Sequence, residues 1–145
     1  MCVSYNHLEI AKMLIDAGAD VNIQNNVGYT ALHWCAVNNH SRIARIFIDA
    51  GADLNIQRND GITALHLCLS WNRLEIARML IDAGADVNIQ DNDGSTALHW
   101  CASNNDPEIA RMLVDAGADV NIQRNDGRLP YELANTQELQ ELLKV

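Results

Sequence analysis

The chain has 145 residues, of which 48% are hydrophobic and 20% are charged, a composition typical of one globular domain and not of a disordered chain. Nineteen acidic and ten basic residues give a net charge of −9, which disfavours binding to a nucleic-acid backbone and favours a basic or apolar partner surface. No apolar run reaches the roughly 18–20 residues of a membrane span, and the first residues do not form a signal-peptide pattern, so we expect neither.

An internal repeat of 33 residues runs through the chain. The four cysteines, at positions 2, 35, 68 and 101, are spaced at this period, and a residue type that returns at a fixed long period marks a repeat protein. Residues 62–94 and 95–127 are identical at 25 of 33 positions. Such similarity is typical of recent duplication or of consensus design, and the sequence leaves both open.

The N-terminal segment, residues 1–28, is predicted to be a truncated unit. Cys2 aligns with Cys35, so the chain begins inside the first helix of a unit and lacks the Thr-Ala-Leu-His that opens this helix elsewhere. We therefore expect this unit to fray, or the chain to be a fragment of a longer array.

Each complete unit is predicted to form a helix, a turn, a second helix and a hairpin. In the last complete unit, Leu98 and Cys101 lie on one face of a short first helix. Asp106 is a favourable N-cap and Pro107 a favourable first residue for the second helix, and Gly117 suits the left-handed position after its end. The three complete units are 29–61, 62–94 and 95–127.

The C-terminal segment, residues 128–145, is predicted to be a capping unit. Arg-Leu-Pro-Tyr-Glu-Leu-Ala at 128–134 replaces the Thr-Ala-Leu-His pattern. The final helix, over residues 137–143, keeps its leucines on one face and its glutamine and glutamate residues elsewhere. A polar outer face of this kind is what the terminal unit of a repeat array needs.

These units resemble ankyrin repeats. The matching motifs are Gly-x-Thr-Ala-Leu-His, at 28–33, 61–66 and 94–99, and Gly-Ala-Asp-(Val/Leu)-Asn, which occurs four times. The resemblance implies an all-α ankyrin-repeat α-solenoid, in which stacked helix-turn-helix units with β-hairpin loops form a single domain over residues 1–145. In animal ankyrin proteins the asparagine that ends the second motif can be hydroxylated, and the resemblance permits that here.

The cysteines and histidines are predicted to be structural. Equivalent positions of stacked units lie roughly 8–10 Å apart, which is too far for a disulfide or for a shared zinc ion. We therefore expect reduced, buried thiols and a reducing cytoplasmic location. His33 and Cys35 point in different directions from one helix, so they do not form a base–nucleophile pair. The resemblance implies instead that each histidine bonds the threonine of its unit and the turn backbone.

Two further sets of polar contacts are predicted. The asparagines of the Asp-(Val/Leu)-Asn motif are expected to bond nearby backbone in the hairpins. Three ion pairs between residues three apart are expected on the second helices, namely Glu9 with Lys12, Glu75 with Arg78, and Glu108 with Arg111.

The candidate binding residues face away from the stack. In the ankyrin fold this side is the concave groove, continued by the hairpin tips, and we call it the groove face. Trp34 and Trp100 suit packing and binding equally, whereas Trp71 stands where the adjacent units have asparagine and is the clearer partner contact. The candidate set is Tyr29, Trp34, Asn38, Arg58, Asp60, Ile62, Leu67, Trp71, Asp91, Asp93, Trp100, Asn104, Arg124 and Arg128, and Ser95 is expected to be exposed beside it.

Three functions are compatible with these patterns. The first is a non-catalytic module that binds another protein in the groove face, as ankyrin proteins widely do. The second is a structural spacer or designed scaffold without a specific partner. The third, an enzyme, would need polar groups that converge in one pocket, and the repeat spacing supplies none. We expect no catalytic residue, cofactor or metal, and a monomer that binds neither nucleic acid nor membrane.

Overall fold

The computed structural model describes the backbone of residues 2–144 and the side chains of residues 7–144. Within this part all regular secondary structure is helical. Predictions about the Cys2 thiol and the other side chains of residues 1–6 lie outside the described residues. The helices are α1 (Cys2–Asp16), α2 (Ala31–Asn38), α3 (Ser41–Asp49), α4 (Ala64–Ser70), α5 (Leu74–Asp82), α6 (Ala97–Asn104), α7 (Pro107–Asp115), α8 (Pro130–Leu133) and α9 (Gln137–Leu142).

The helices stack in two rows. The first helices of successive units form one row, in which α2, α4, α6 and α8 pack in sequence. The second helices, α1, α3, α5, α7 and α9, form the other. Each hairpin loop closes as a tight turn, as where the Arg58 N–H donates to the Ile62 carbonyl at 2.9 Å. The predicted all-α solenoid of stacked helix-turn-helix units is confirmed.

Local sequence signals place the helix ends. The Asp106 carboxylate accepts the Ile109 N–H at 3.3 Å, and Pro107 follows as the first residue of α7, as predicted. Gly117 then adopts φ 93°, the left-handed conformation that glycine reaches without a steric penalty. Asp106, Pro107 and Gly117 therefore determine from the local sequence where α7 begins and ends.

The core lies between the two rows and continues from unit to unit. Leu98 and Cys101 are buried on the inner face of α6, and Ile109 and Leu113 are fully buried on α7. Each unit thus covers its apolar face with its neighbours, and the stability is a sum of units and interfaces.

Helix α1 differs from the predicted first unit. The sequence period places a break between two helices near Asn6, but α1 continues from Cys2 to Asp16. In complete units the left-handed residues Asn39, Asn72 and Asn105 form this break. One continuous helix needs a single nucleation step, whereas two separate helices need two. Fraying of this segment stays a prediction.

The turns of neighbouring units approach each other closely. A Cβ atom built on Gly61, which has φ 82°, would lie 2.8 Å from the Asn92 backbone nitrogen. Gln57 reaches the same neighbour, because its Nε2 donates to the Gln90 carbonyl at 3.0 Å. The side-chain oxygen of Asn55 accepts the Asp86 N–H at 2.8 Å. The sequence predicts that the asparagines of the Asp-(Val/Leu)-Asn motif bond nearby hairpin backbone, whereas Asn22, Asn55 and Asn88 accept backbone N–H groups of the following unit.

The ion pairs also cross between units. Lys12 and Glu9 lie 3.7 Å apart, as predicted. However, Arg78 pairs with Glu108 of the following unit and not with Glu75. Arg111 likewise reaches Glu138, at 3.3 Å, because stacked second helices bring these positions side by side. The last two predicted pairs are therefore wrong, and all these exposed pairs contribute little to stability.

Two glycine substitutions separate backbone strain from close packing. Gly61→Ala and Gly84→Ala both force alanine into positive φ, at 82° and 90°, which costs about 1–2 kcal/mol. Only the methyl group at position 61 meets neighbouring backbone, since the space around Gly84 is empty within 4 Å. We expect Gly61→Ala to cost at least about 3 kcal/mol, with overpacking added to the strain. Urea unfolding of both variants measures this, and equal losses would contradict it.

Candidate functional site

The candidate residues divide by exposure. Trp34 and Trp71 are each 52% exposed. Tyr29, Arg58, Ile62, Trp100 and Arg124 are partly buried, and Leu67 and Asp91 are buried. The other exposed members are Asn38, Asp60, Asp93, Asn104 and Arg128.

Leu67 does not belong to a binding surface. It occupies the position of Trp34 and Trp100 but is only 6% exposed. It lies on α4, which is covered by α2 on one side and by α6 on the other, and it forms part of the continuous core. The predicted exposure of Leu67 is therefore wrong, because a leucine between two larger indoles packs inward.

Asp91 is also buried, at 8% exposure, and has a structural role. One carboxylate oxygen, Oδ1, accepts the N–H groups of Asp93 and Ser95, at 2.9 and 3.0 Å. The other, Oδ2, accepts the Trp100 indole N–H at 3.1 Å. The predicted exposure of Asp91 and of Ser95 is therefore wrong, since their turn folds onto Trp100 and closes this part of the face.

An open aromatic cluster lies at the other end of the face, and we call it the Tyr29 cluster (Tyr29, Trp34, Arg58 and Asp60). The Trp34 and Tyr29 ring centroids are 5.2 Å apart. The Arg58 guanidinium stacks 4.7 Å from the Tyr29 ring centre and donates to the Tyr29 hydroxyl at 2.6 Å. Its Nε also donates to the Asp60 carboxylate at 3.1 Å, and this bond lowers the pKa of Asp60 and raises that of Arg58.

Charged side chains end the groove face at its C-terminal side. Arg128 donates to one Asp126 carboxylate oxygen from Nε at 2.9 Å and from Nη2 at 2.7 Å. An Arg124 nitrogen lies 3.6 Å from the same oxygen. The hydrogen bonds from Arg128 are the main reason that the pKa of Asp126 falls to about 2. Glu132 also acts electrostatically on Arg128, so two arginines and two carboxylates meet at this end of the face.

Arg73 and Asn25 are structural residues that the sequence analysis missed. Arg73 donates to the Ala36 and Val37 carbonyls, at 3.2 and 3.1 Å, and so caps helix α2 from the next unit. Asn25 accepts the N–H groups of Val27 and Tyr29, both at 3.0 Å, as Asp91 does in its own turn. Alignment of the turns by the repeat period would have paired Asn25 with Asp91.

The histidines have the predicted structural contacts. His33 Nδ1 accepts the Thr30 N–H at 3.0 Å, so the ring proton lies on Nε2, which donates to the Ile62 carbonyl of the next unit at 3.1 Å. His66 and His99 bond in the same way. With both ring nitrogens engaged, none of the three is free to act as a base.

The described thiols are also unsuited to catalysis. Cys35, Cys68 and Cys101 are free and buried. Burial raises the pKa of Cys35 and of Cys68 to about 12, so neither forms a thiolate near neutral pH. Among the described residues, no three His, Cys, Asp or Glu side chains come together as metal ligands.

The remaining surface features lie outside the groove face. A cavity of about 450 Å³ at the C-terminal end is lined by Tyr131, Gln137, Gln140, Glu141 and Lys144. A set of exposed apolar side chains, which includes Ile10, Met13 and Leu14, lies on α1 where later units cover the equivalent residues with a preceding unit. None of the helices in the described part is both long and apolar enough to cross a bilayer.

Comparison with known families agrees with this architecture. A family model described as ankyrin repeats (three copies) matches residues 1–91, 51–126 and 83–144. These matches span nearly the whole chain, which therefore belongs to the ankyrin repeat family, as the motifs predicted. Ankyrin repeats are generally protein–protein interaction modules, and ankyrin repeat domains are typically non-catalytic. A search of curated proteins found no match.

The histidine contacts predict a loss of stability in mild acid. Burial lowers the pKa of His33, His66 and His99 below the ordinary 6.5, so below pH 6.5 the unfolded chain binds more protons than the folded chain. The free energy of unfolding should be constant well above that pH, where the histidines are neutral in both states. Between pH 6.5 and 5 it should fall by up to about 1.4 kcal/mol per pH unit for each histidine.

Urea unfolding at pH 7.5, 6.5, 5.5 and 5.0 measures this dependence, in a range above the titration of the carboxylates. His99→Gln is the matched variant, because it removes one of the three buried rings. We expect it to be less stable at pH 7.5 but to lose less free energy on acidification. A slope that is the same in both chains would contradict the histidine origin.

Proposed function

We propose that residues 1–145 form one ankyrin repeat domain that binds a partner protein on the groove face and catalyses no reaction. The observation that carries this proposal is the pair Trp34 and Trp71. Each indole is 52% exposed; Trp34 lies on α2 and Trp71 directly follows α4, and these two helices pack side by side. Large aromatic side chains that are exposed on a rigid surface are favoured positions for binding hot spots.

The support around the Trp34 indole makes it a suitable anchor. Trp34 leans on Tyr29, which Arg58 in turn covers, so its ring is held in place before a partner arrives. Trp71 caps the end of α4, and its backbone N–H donates to the Leu67 carbonyl. A side chain that is already ordered loses less conformational entropy on binding, which favours affinity.

The charge of the chain indicates the chemistry of the partner. Asp60 and Asp93 are exposed at equivalent positions of two hairpin loops, and Asp60 is paired with Arg58. With a net charge of −9, the domain attracts a segment that carries basic and apolar side chains. Binding should therefore weaken as the salt concentration rises. This proposal gives no role to nucleic acid or to a membrane.

Two further parts of the proposal concern the state of the chain. One copy is sufficient for binding, since Trp34 and Trp71 belong to adjacent units of the same chain. The three buried free thiols support a reducing, cytoplasmic location.

A spacer or designed scaffold is the alternative function. The identity of residues 62–94 and 95–127 at 25 of 33 positions keeps this alternative open, because such similarity is typical of consensus design as well as of recent duplication. On this alternative, the side chains of the groove face can be replaced without loss of function.

Paired alanine substitutions distinguish the two functions. The intact chain and Trp34→Ala/Trp71→Ala are compared by affinity capture from cell lysate, followed by a measured Kd for the partner recovered. We expect the double variant to weaken binding at least about 30-fold, which corresponds to a hot-spot loss of about 2 kcal/mol. Circular dichroism checks that the variant remains folded.

Tyr131→Ala is the matched control, since Tyr131 is an aromatic residue 42% exposed on α8 at the end of the stack. It should leave the affinity unchanged. A partner that binds the intact chain and the double tryptophan variant equally would exclude the groove face. Capture of no partner by any of the three chains would favour the spacer function.

A further inference from the structure

Two tryptophans at equivalent positions are held differently. Trp34 and Trp100 both follow Thr-Ala-Leu-His, two units apart. Trp100 is partly buried, and its indole N–H donates to the Asp91 carboxylate at 3.1 Å. Trp34 is 52% exposed, and its indole N–H has no acceptor among the described residues. The tryptophan at this repeat position is therefore covered and hydrogen-bonded in one unit (closed) and exposed in another (open).

The residue nine positions earlier explains part of this difference. Asp91 has two acceptor oxygens, so Oδ1 accepts two turn N–H groups while Oδ2 remains for the Trp100 indole. Asn25 has only one, and its Oδ1 already accepts the N–H groups of Val27 and Tyr29. The remaining atom of the amide, Nδ2, is a donor and cannot accept from Trp34. Replacing a carboxylate by an amide thus leaves the neighbouring indole without a partner.

The residue that ends the turn explains the rest. Tyr29 holds Trp34 by ring contact, with centroids 5.2 Å apart. The equivalent residue, Ser95, is small and buried, and it leaves room for Trp100 to lie over the turn. Residues 25 and 29, and their equivalents 91 and 95, therefore determine together whether the indole is open.

The open site presents hydrogen-bond donors. Trp34 Nε1 and Asn25 Nδ2 each carry an N–H that has no acceptor among the described residues. The Arg58 guanidinium on the adjoining Tyr29 ring is already paired with the Asp60 carboxylate, so it adds little net charge to the same cluster. A carboxylate has two acceptor oxygens and a negative charge, and it already fills this role beside Trp100.

We propose that Asn25 and Trp34 bind one carboxylate of the partner protein, which supplies the indole with the acceptor that Asp91 supplies to Trp100. This inference rests on the proposed function, because it assumes that a partner occupies the groove face. It adds a specific requirement to the basic and apolar segment described above. Such a segment carries one aspartate or glutamate that meets Asn25 and Trp34, while its basic residues meet exposed acidic side chains of other hairpin tips, such as Asp93.

The open and closed states can be tested without a partner. Trp71→Phe/Trp100→Phe leaves Trp34 as the single tryptophan, and Trp34→Phe/Trp71→Phe leaves Trp100. We expect acrylamide to quench Trp34 at least twofold more strongly than Trp100. Asp91→Asn should increase the quenching of Trp100, and Asn25→Asp/Tyr29→Ser should decrease that of Trp34. Quenching constants that do not respond to these exchanges would overturn the control by residues 25, 29, 91 and 95.

The carboxylate is tested with a displayed library of random peptides selected on the intact chain. We expect the selected peptides to contain an aspartate or glutamate next to apolar and basic residues. Replacing that acid by asparagine or glutamine should weaken binding about tenfold to the intact chain. On Asn25→Asp/Tyr29→Ser the acidic peptide should bind no better than its amide form. Tyr131→Ala should behave as the intact chain does.

The outcomes separate the two proposals. Peptides that require Trp34 and Trp71 but show no preference for an acid would refute the carboxylate site and leave the proposed function intact. If no selected peptide depends on Trp34 or Trp71, both proposals fail. An acid preference that persists in Asn25→Asp/Tyr29→Ser would place the carboxylate elsewhere and overturn this inference.

Discussion

A neutral, buried histidine joins each unit of this protein to the next. His33 accepts the Thr30 N–H on one nitrogen and donates to the Ile62 carbonyl on the other, so one ring caps its own helix and holds the following turn. Removing either contact would leave a buried polar group unsatisfied, which costs more than an average hydrogen bond contributes. The same arrangement at His66 and His99 gives the turns one spacing along the stack.

This spacing lets the turns pack without side chains between them. The backbone near Asn92 lies so close to Gly61 that a methyl group there would overlap it. Gln57 and Asn55 then complete the contact by donating to and accepting from backbone of the next unit. The buried contacts between units therefore set the backbone geometry of the groove face. Substituting an exposed residue there changes the chemistry of the surface more than the shape of the backbone.

Much of the fold could be predicted because its causes are local and periodic. The N-cap at Asp106, the proline that follows it and the left-handed Gly117 are each determined within a few residues of sequence. What the sequence analysis got wrong depends on the adjacent unit. Glu75 lies three residues before Arg78 on the same helix, yet the carboxylate that pairs with Arg78 is that of Glu108 in the next unit. The spacing of residues within one unit does not predict which side chains of adjacent units meet.

The candidate site shows the same division at single residues. The periodic pattern correctly placed Trp34 and Trp71 on the exposed side, but it treated every equivalent position alike and so expected Leu67 and Asp91 to be exposed as well. Exposure at these positions depends on side-chain size and on which atoms of the neighbouring turn remain free to accept a hydrogen bond. Asn25 and Asp91 differ by one amide nitrogen, and this difference acts together with that between Tyr29 and Ser95 on whether the indole is satisfied within the protein. In a repeat scaffold, specificity therefore arises where otherwise equivalent units differ in hydrogen-bonding capacity.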